Sequence, residues 1–150
     1  MTDPITFPSS TSHFELPLLF AGQAQKEFFV NEALTKVDAI LQKTVLGSQS
    51  APPSDPATGN VFRIIANATG EWAGHEGMLA LFIGGAWTYI EPTPGLLIFD
   101  QSAEKLLLFA DGWKEGSAPA NPQSGSVVDI EARAAIDTLI QTLRNIGIFS

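Results

Sequence analysis

The spacing of apolar positions changes along the chain, and each change marks an element. The first 15 residues hold no period. Pro4, Pro8 and the Ser9-Ser-Thr-Ser12 run disfavour both a helix and a central strand. Leu16-Pro-Leu-Leu-Phe20 is short and apolar with a proline inside, so residues 1–20 read as an extended arm packed on something. From Gly22 to Leu46 the pattern becomes helical. Val30, Leu34, Val37 and Leu41 follow a 4-3-4 spacing, which is one helix face, and Phe29, Ala33 and Ile40 widen it. Glu27 and Glu32 lie toward the start and Lys43 near the end, as the helix dipole favours, and Gly47 suits a C-terminal cap. A helix is therefore expected over 21–47. Pro52, Pro53 and Pro56 make the following stretch, 48–59, a loop.

Residues 60–116 read as an antiparallel β-domain. Val61–Ala66 is one candidate strand. Met78–Ile83 and Ala86–Ile90 are two more, joined by Gly84-Gly85, a hairpin signal because both turn positions can take positive φ. Gly95–Asp100 and Lys105–Ala110 form another pair, and Asp111-Gly112 turns the chain into Trp113–Glu115. Leu79–Trp87 echoes Leu106–Trp113: apolar strand, glycine turn, then Trp opening the return strand. Two such hairpins suggest a meander and are too few for a propeller.

Pro119, Pro122 and the small polar residues around them make 117–126 a linker. A second helix is expected from about Val128 to Ile146, within a C-terminal segment 127–150. Ala132, Ile136, Leu139, Leu143 and Ile146 alternate spacings of 4 and 3, an a/d seam, and Ile140 adds to its apolar side. Gly147 ends the helix. A seam of two heptads is too short to stand alone. It either folds back on the β-domain or meets copies of itself. The expected class is α+β: an N-terminal helix, an antiparallel β-meander domain and a C-terminal oligomerisation helix.

Composition narrows the function. Of 150 residues, 45% are hydrophobic and only 16% charged, which is low for a soluble globule and suggests surface buried against other subunits. Sixteen acidic against 8 basic residues leave a net charge of −8, which argues against nucleic acid as a partner. The absence of cysteine excludes disulfides, thiolate catalysis and Cys-based zinc sites. Met1-Thr-Asp-Pro4 has no basic region leading into an apolar run, so no signal peptide is expected, and no apolar run is long enough for membrane insertion.

Candidate chemistry is sparse. His13 sits in the Ser/Thr arm and His75 in a Gly-rich turn, and no close His pair exists for a metal. Asp55–Asn60 lacks the ligand pattern of an EF-hand, and no P-loop, dinucleotide fingerprint or Gly-x-Ser-x-Gly occurs. Glu71, Glu76, Glu91, Asp100 and Asp111 fall in or beside hairpins, where they serve turns unless the fold pairs two of them for glycoside hydrolysis. Trp72, Trp87, Tyr89 and Trp113 serve hairpin packing or, on one exposed face, stack on sugar rings. The polar Gly22–Glu27 opening, with Asn31 and Glu32, either forms a solvated first turn or bridges a neighbouring chain's backbone. No cofactor, catalytic set or metal site is expected.

Two segments carry a resemblance. Leu16–Glu27, Asn31–Leu34 and Asp38-Ala39, followed by Ala68–His75, Gly84–Trp87 and Pro92–Gly95, resemble in order an uncharacterised domain family of alphaproteobacterial prophages and gene transfer agents, over about residues 16–113. Asp129–Ile136, Leu139-Ile140, Leu143 and Gly147-Ile148 resemble a short helix that ends many phage fibre and head-fibre proteins and is thought to assemble trimers. The resemblance implies a virion component, assembled in the bacterial host cytoplasm, and supplies no catalytic residues. The expectation is a structural fibre or spike protein of a tailed phage or gene transfer agent, on head or tail. It would be a homotrimer that contacts other virion proteins. Leu16–Phe20 and the first helix would pack between subunits, and the terminal helices would zip at the symmetry axis. The alternative is a carbohydrate-binding module for host surface polysaccharide.

Overall fold

A computed structural model describes residues 9–20, 22, 26–121 and 129–149. Pro4, Pro8, Gln23 to Gln25 and the linker and helix start at 122–128 lie outside the described residues. The class is α+β, as expected. In chain order the elements are α1 (Lys26–Gln42), β1 (Thr44–Val45), β2 (Ser48–Gln49), β3 (Val61–Ile64), β4 (Leu79–Ile83), β5 (Ala86–Ile90), β6 (Leu97–Asp100), β7 (Lys105–Phe109), β8 (Trp113–Glu115) and α2 (Ile130–Asn145). The strand boundaries fall within a few residues of the sequence reading. Both helices are shorter than the periodicity suggested. β1 and β2 were not foreseen, because two-residue strands carry no period.

The chain forms two compact units, Met1–Pro92 and Thr93–Ser150. The single β-domain expected over 60–116 is therefore divided, with three of its strands in the first unit and three in the second. In the first unit the strand order is β2-β3-β4-β5. β2 lies parallel to β3, with Ser48 opposite Arg63, so this sheet is not a pure meander. β3-β4 and β4-β5 are antiparallel. The β4–β5 turn has Gly84 at φ 60° and Gly85 at φ 81°, the paired positive values that let a two-residue turn follow strand twist.

Period-two alternation gives this sheet two apolar faces. One carries Phe62, Ile64 and Ala80, all buried, with Trp87 and Tyr89 beside them. The loop between β3 and β4 drops Trp72, from a single 3-10 turn at Gly70–Trp72, onto that face. The other face carries Val61, Leu79 and Leu81, also buried. The second unit is built on the antiparallel meander β6-β7-β8, with Ile98 opposite Leu107 at its buried centre.

Candidate functional site

The polarity of α1 is inverted relative to a helix that covers its own core. Its buried residues are Asp38 and Ala39. The apolar face read from sequence points outward: Phe29 is 71% exposed, Leu41 54% and Val37 48%, with Val30 and Ile40 also exposed and Leu34 half-buried. The inward polar side has a specific occupant, the arm of residues 9–20. A buried carboxylate is tolerated only if hydrogen bonds replace its water. Asp38, 1% exposed, accepts from the Thr11 hydroxyl (2.7 Å), the Phe14 N–H (2.8 Å) and the His13 N–H (3.0 Å). Thr11 in turn accepts from the Leu16 N–H at 2.9 Å. One heptad earlier, Asn31 accepts from the Leu19 N–H (2.8 Å) and donates to the Leu19 carbonyl (3.1 Å), as a neighbouring strand would. Asn31 thus bridges backbone, as one sequence reading had it, but the backbone belongs to its own arm. Glu32 is occupied by Lys36 at 2.6 Å. Between this shoulder of α1 and the β4–β5 hairpin lies an open cleft of about 630 Å³, lined by Leu19, Glu27, Phe28, Asn31, Ile83 and Thr88 among others.

α2 starts at a capped N-terminus, where the Asp129 side chain accepts from the Ala132 N–H at 2.8 Å. Glu131 in the first turn and Arg144 in the last suit the dipole. Of the two possibilities left open for this helix, the structure shows the first in part: it folds back at its end. Its end is tied down: Leu106 N–H donates to the Gly147 carbonyl at 2.7 Å, and Gly116 bridges to Phe149. Its body is largely uncovered. Ala132, Ile136, Leu139 and Ile146 are exposed, the last two at 57% and 56%, and Leu143 is half-buried. Ile140 departs from its expected role. It is buried within the chain, because it sits on the side of α2 shared with the half-buried Arg133 and Leu143, so it is not available to another copy.

The four candidate stacking residues do not form one exposed face. Trp72 is fully buried (0% exposed), so its ring is core and not a platform for a sugar. It packs edge-on against Trp87 (centroids 5.0 Å, 81°) and tilted against Phe62 (5.7 Å), while Phe82 lies 5.0 Å from Trp87. Trp113 belongs to the second unit, edge-on to Phe109 at 5.2 Å. Tyr89 is half-buried. The His75 ring stacks on it at 3.6 Å and 9°, and its hydroxyl donates to the Glu71 carbonyl at 2.5 Å. Desolvation, then the Glu71 carboxylate, push the Tyr89 phenol above its usual value.

The carboxylates serve local structure. Glu76 accepts from Ala68 N–H at 3.2 Å, closing the loop that carries Trp72. Its pKa is lowered, first by its own backbone N–H, then by those of Ala68 and Gly74, and by His75. Asp100, 1% exposed, accepts from Ala103 N–H at 3.0 Å and caps the β6–β7 turn. Asp111 pairs with Lys114 at 2.7 Å, which is the main cause of its lowered pKa. Glu71 and Glu91 are exposed. Among the described residues no three His, Asp or Glu side chains gather into a metal-binding group, and no helix is long and apolar enough to cross a membrane.

Comparison with known families gives one match. The profile of a family described as protein of unknown function (DUF2793) matches residues 30–114, more than half of the chain, from the second turn of α1 into β8. No curated protein and no solved structure matches the chain.

Proposed function

The chain belongs to the DUF2793 family, and on that premise we propose that it is a structural virion protein of a tailed phage or gene transfer agent. It would be a fibre or spike component on the head or tail that works as a homotrimer among other virion proteins. The observation that carries this reading is the uncovered apolar seam of α2. Ile136, Leu139 and Ile146 repeat at coiled-coil spacing on a helix whose end is docked and which, apart from the side of Ile140, is exposed along its body. A helix of this length has little stability of its own in water, so burial of the seam between copies supplies what the isolated chain lacks. The phage assignment rests on the resemblance of residues 16–113 and 129–148 and on sparse surface charge.

The test is Leu139→Asp together with Leu143→Asp. Two carboxylates buried at the seam disrupt association, because each unpaired charge loses its hydration. Light scattering after size exclusion is expected to read a trimer for the wild type and a smaller species for the variant. Unchanged assembly of the variant overturns the role of α2. Host surface polysaccharide remains a second partner for trial. With Trp72 in the core, the stacking surfaces left to that alternative are the half-buried Trp87, Tyr89 and Trp113, and quenching of tryptophan fluorescence by host polysaccharides would support it.

A further inference from the structure

We propose that the outer edge of β5, with the cleft beside it, is a docking site for an extended segment of a partner protein. The segment adds antiparallel to β5 as a further strand and drops a lysine or arginine side chain into the cleft. The site lies within the first compact unit and uses neither the α2 seam nor the apolar face of α1.

The first ground is the free edge. β5 ends the order β2-β3-β4-β5, so only one of its edges is paired. Backbone groups alternate in direction along a strand. Next to β3, Phe82 N–H donates to the Asn60 carbonyl at 2.9 Å and the Met78 carbonyl accepts from Ile64 N–H at 2.9 Å, so the even positions of β4 address β3. Leu79, Leu81 and Ile83 therefore address β5, where their partners are Ile90, Thr88 and Ala86. Trp87 and Tyr89 are left with N–H and C=O groups that point away from the sheet, and no described residue bonds to them.

The second ground is that nothing in β5 guards this edge. Natural edge strands carry a lysine, a proline or a bulge, or are very short. The opposite edge of the sheet follows that rule, since β2 is two residues long. β5 does not. Trp87, Thr88, Tyr89 and Ile90 all favour a strand, and no charge or proline falls among its five residues.

The third ground is the cleft. Residues directly opposite one another across two strands put their side chains on the same face. An added residue opposite Thr88 therefore points into the cleft of about 630 Å³ that Thr88 lines. Its two neighbours, opposite Trp87 and Tyr89, lie along those half-buried rings. The charged residues that line the cleft are both acidic, Glu27 and Glu32 on α1, and Lys36 holds one oxygen of Glu32. Leu19, Phe28 and Ile83 add apolar wall. A lysine or arginine side chain matches that lining, with an apolar stem and a cationic head. A net charge of −8 also favours a basic partner. This chain does not supply the segment itself, because each of its 8 Lys and Arg residues lies in or next to a helix or strand of the fold. The occupant is therefore another protein.

The probe is a labelled, end-blocked seven-residue peptide in which valine and threonine alternate outward from a central lysine. It is titrated into the full-length chain and followed by fluorescence anisotropy. Saturable binding is expected, weakened about tenfold or more when glutamate replaces the lysine. A similar loss is expected when the two valines beside the lysine carry N-methyl groups, because antiparallel pairing presents those two N–H donors to Trp87 and Tyr89. In the protein, Thr88→Lys puts an ammonium into the cleft from the chain itself. It is expected to weaken binding about tenfold or more while the circular dichroism of the fold is unchanged. A lysine peptide that shows no saturable binding at about 1 mM overturns the proposal. Equal binding of the N-methylated peptide overturns strand addition, since charge alone would then attract the probe. Equal binding of the lysine and glutamate peptides overturns the cationic occupant, and undiminished binding to a folded Thr88→Lys chain overturns the location. None of these outcomes depends on whether α2 assembles the chain.

Discussion

Removing the Asp38 carboxylate tests whether polar contacts set the orientation of α1. Asp38→Ala leaves the Thr11 hydroxyl and the His13 and Phe14 N–H groups without their acceptor. A hydrogen bond to a charged group contributes about 1.5–3 kcal/mol, so three of them set a gross figure of roughly 5–9 kcal/mol. The arm limits the loss. Once it leaves α1 its N–H groups find water, and each of its residues regains about 1–2 kcal/mol of backbone entropy. The net loss is therefore capped at the free energy of docking the arm, well below that gross figure. Asp38→Asn should fall between. Its amide oxygen can still accept from Thr11 and Phe14, while its NH₂ group faces the His13 N–H. Two assays separate local from global effects. Guanidinium unfolding should show a lowered midpoint in the order wild type, Asn, Ala. Limited chymotrypsin digestion should show faster cutting at Phe14 and Phe20 in the same order, with the β-strands still protected. Equal cleavage of the arm in all three proteins would refute the reasoning, because it would mean that Asp38 does not hold it.

Two further expectations concern positions away from α1. Gly147 adopts φ 75°, and a Cβ there would lie 2.9 Å from the Glu104 carbonyl and 3.2 Å from Lys105 Cα, both backbone atoms. Left-handed backbone alone costs an L-residue about 1–2 kcal/mol, so Gly147→Ala should lower stability by at least about 2 kcal/mol and loosen the tail from β7. An unchanged urea midpoint would contradict this. Tyr89 is the one tyrosine in the chain, so phenolate absorbance reports it alone. Its pKa is raised by desolvation first and by Glu71 second. The sign follows: the stability contributed by the neutral phenol is complete below the unfolded-state value and is lost as pH rises through the folded-state value. Folded protein should ionise at higher pH than unfolded protein, with part of the gap lost in Glu71→Gln. Coincident titrations of folded and unfolded chain would refute it.

What the sequence made legible, and what it hid, follows from the range of the interactions. The β4–β5 hairpin was readable because Gly84-Gly85 and the alternation of Ala86 to Ile90 are local signals. The seam of α2 was readable from the 4-3 spacing, but neither its exposure nor the burial of Ile140, which depend on which side of the helix meets the chain. For α1 the periodicity identified the helix and the apolar face, yet not that the face points outward. That outcome is decided by Asn31 and Asp38, one heptad apart on the opposite side, whose partners lie 12 and 24–27 residues away in the arm. Two buried-capable polar residues at i and i+7 were the available signal, and apolar counting passes over them. The Trp72 ring was hidden for a related reason. It comes from a loop turn with no period, and only the tertiary fold sets it against Phe62 and Trp87. The division at Pro92 was equally silent, since the two halves read as one run of strands.

The most direct measurement of the central claim is the molar mass of the full-length wild-type chain in solution, by light scattering after size exclusion and across a dilution series. The account predicts a mass three times that of the single chain. A chain that remains monomeric at the highest soluble concentration would contradict it, because the seam of α2 would then have no second copy to cover it.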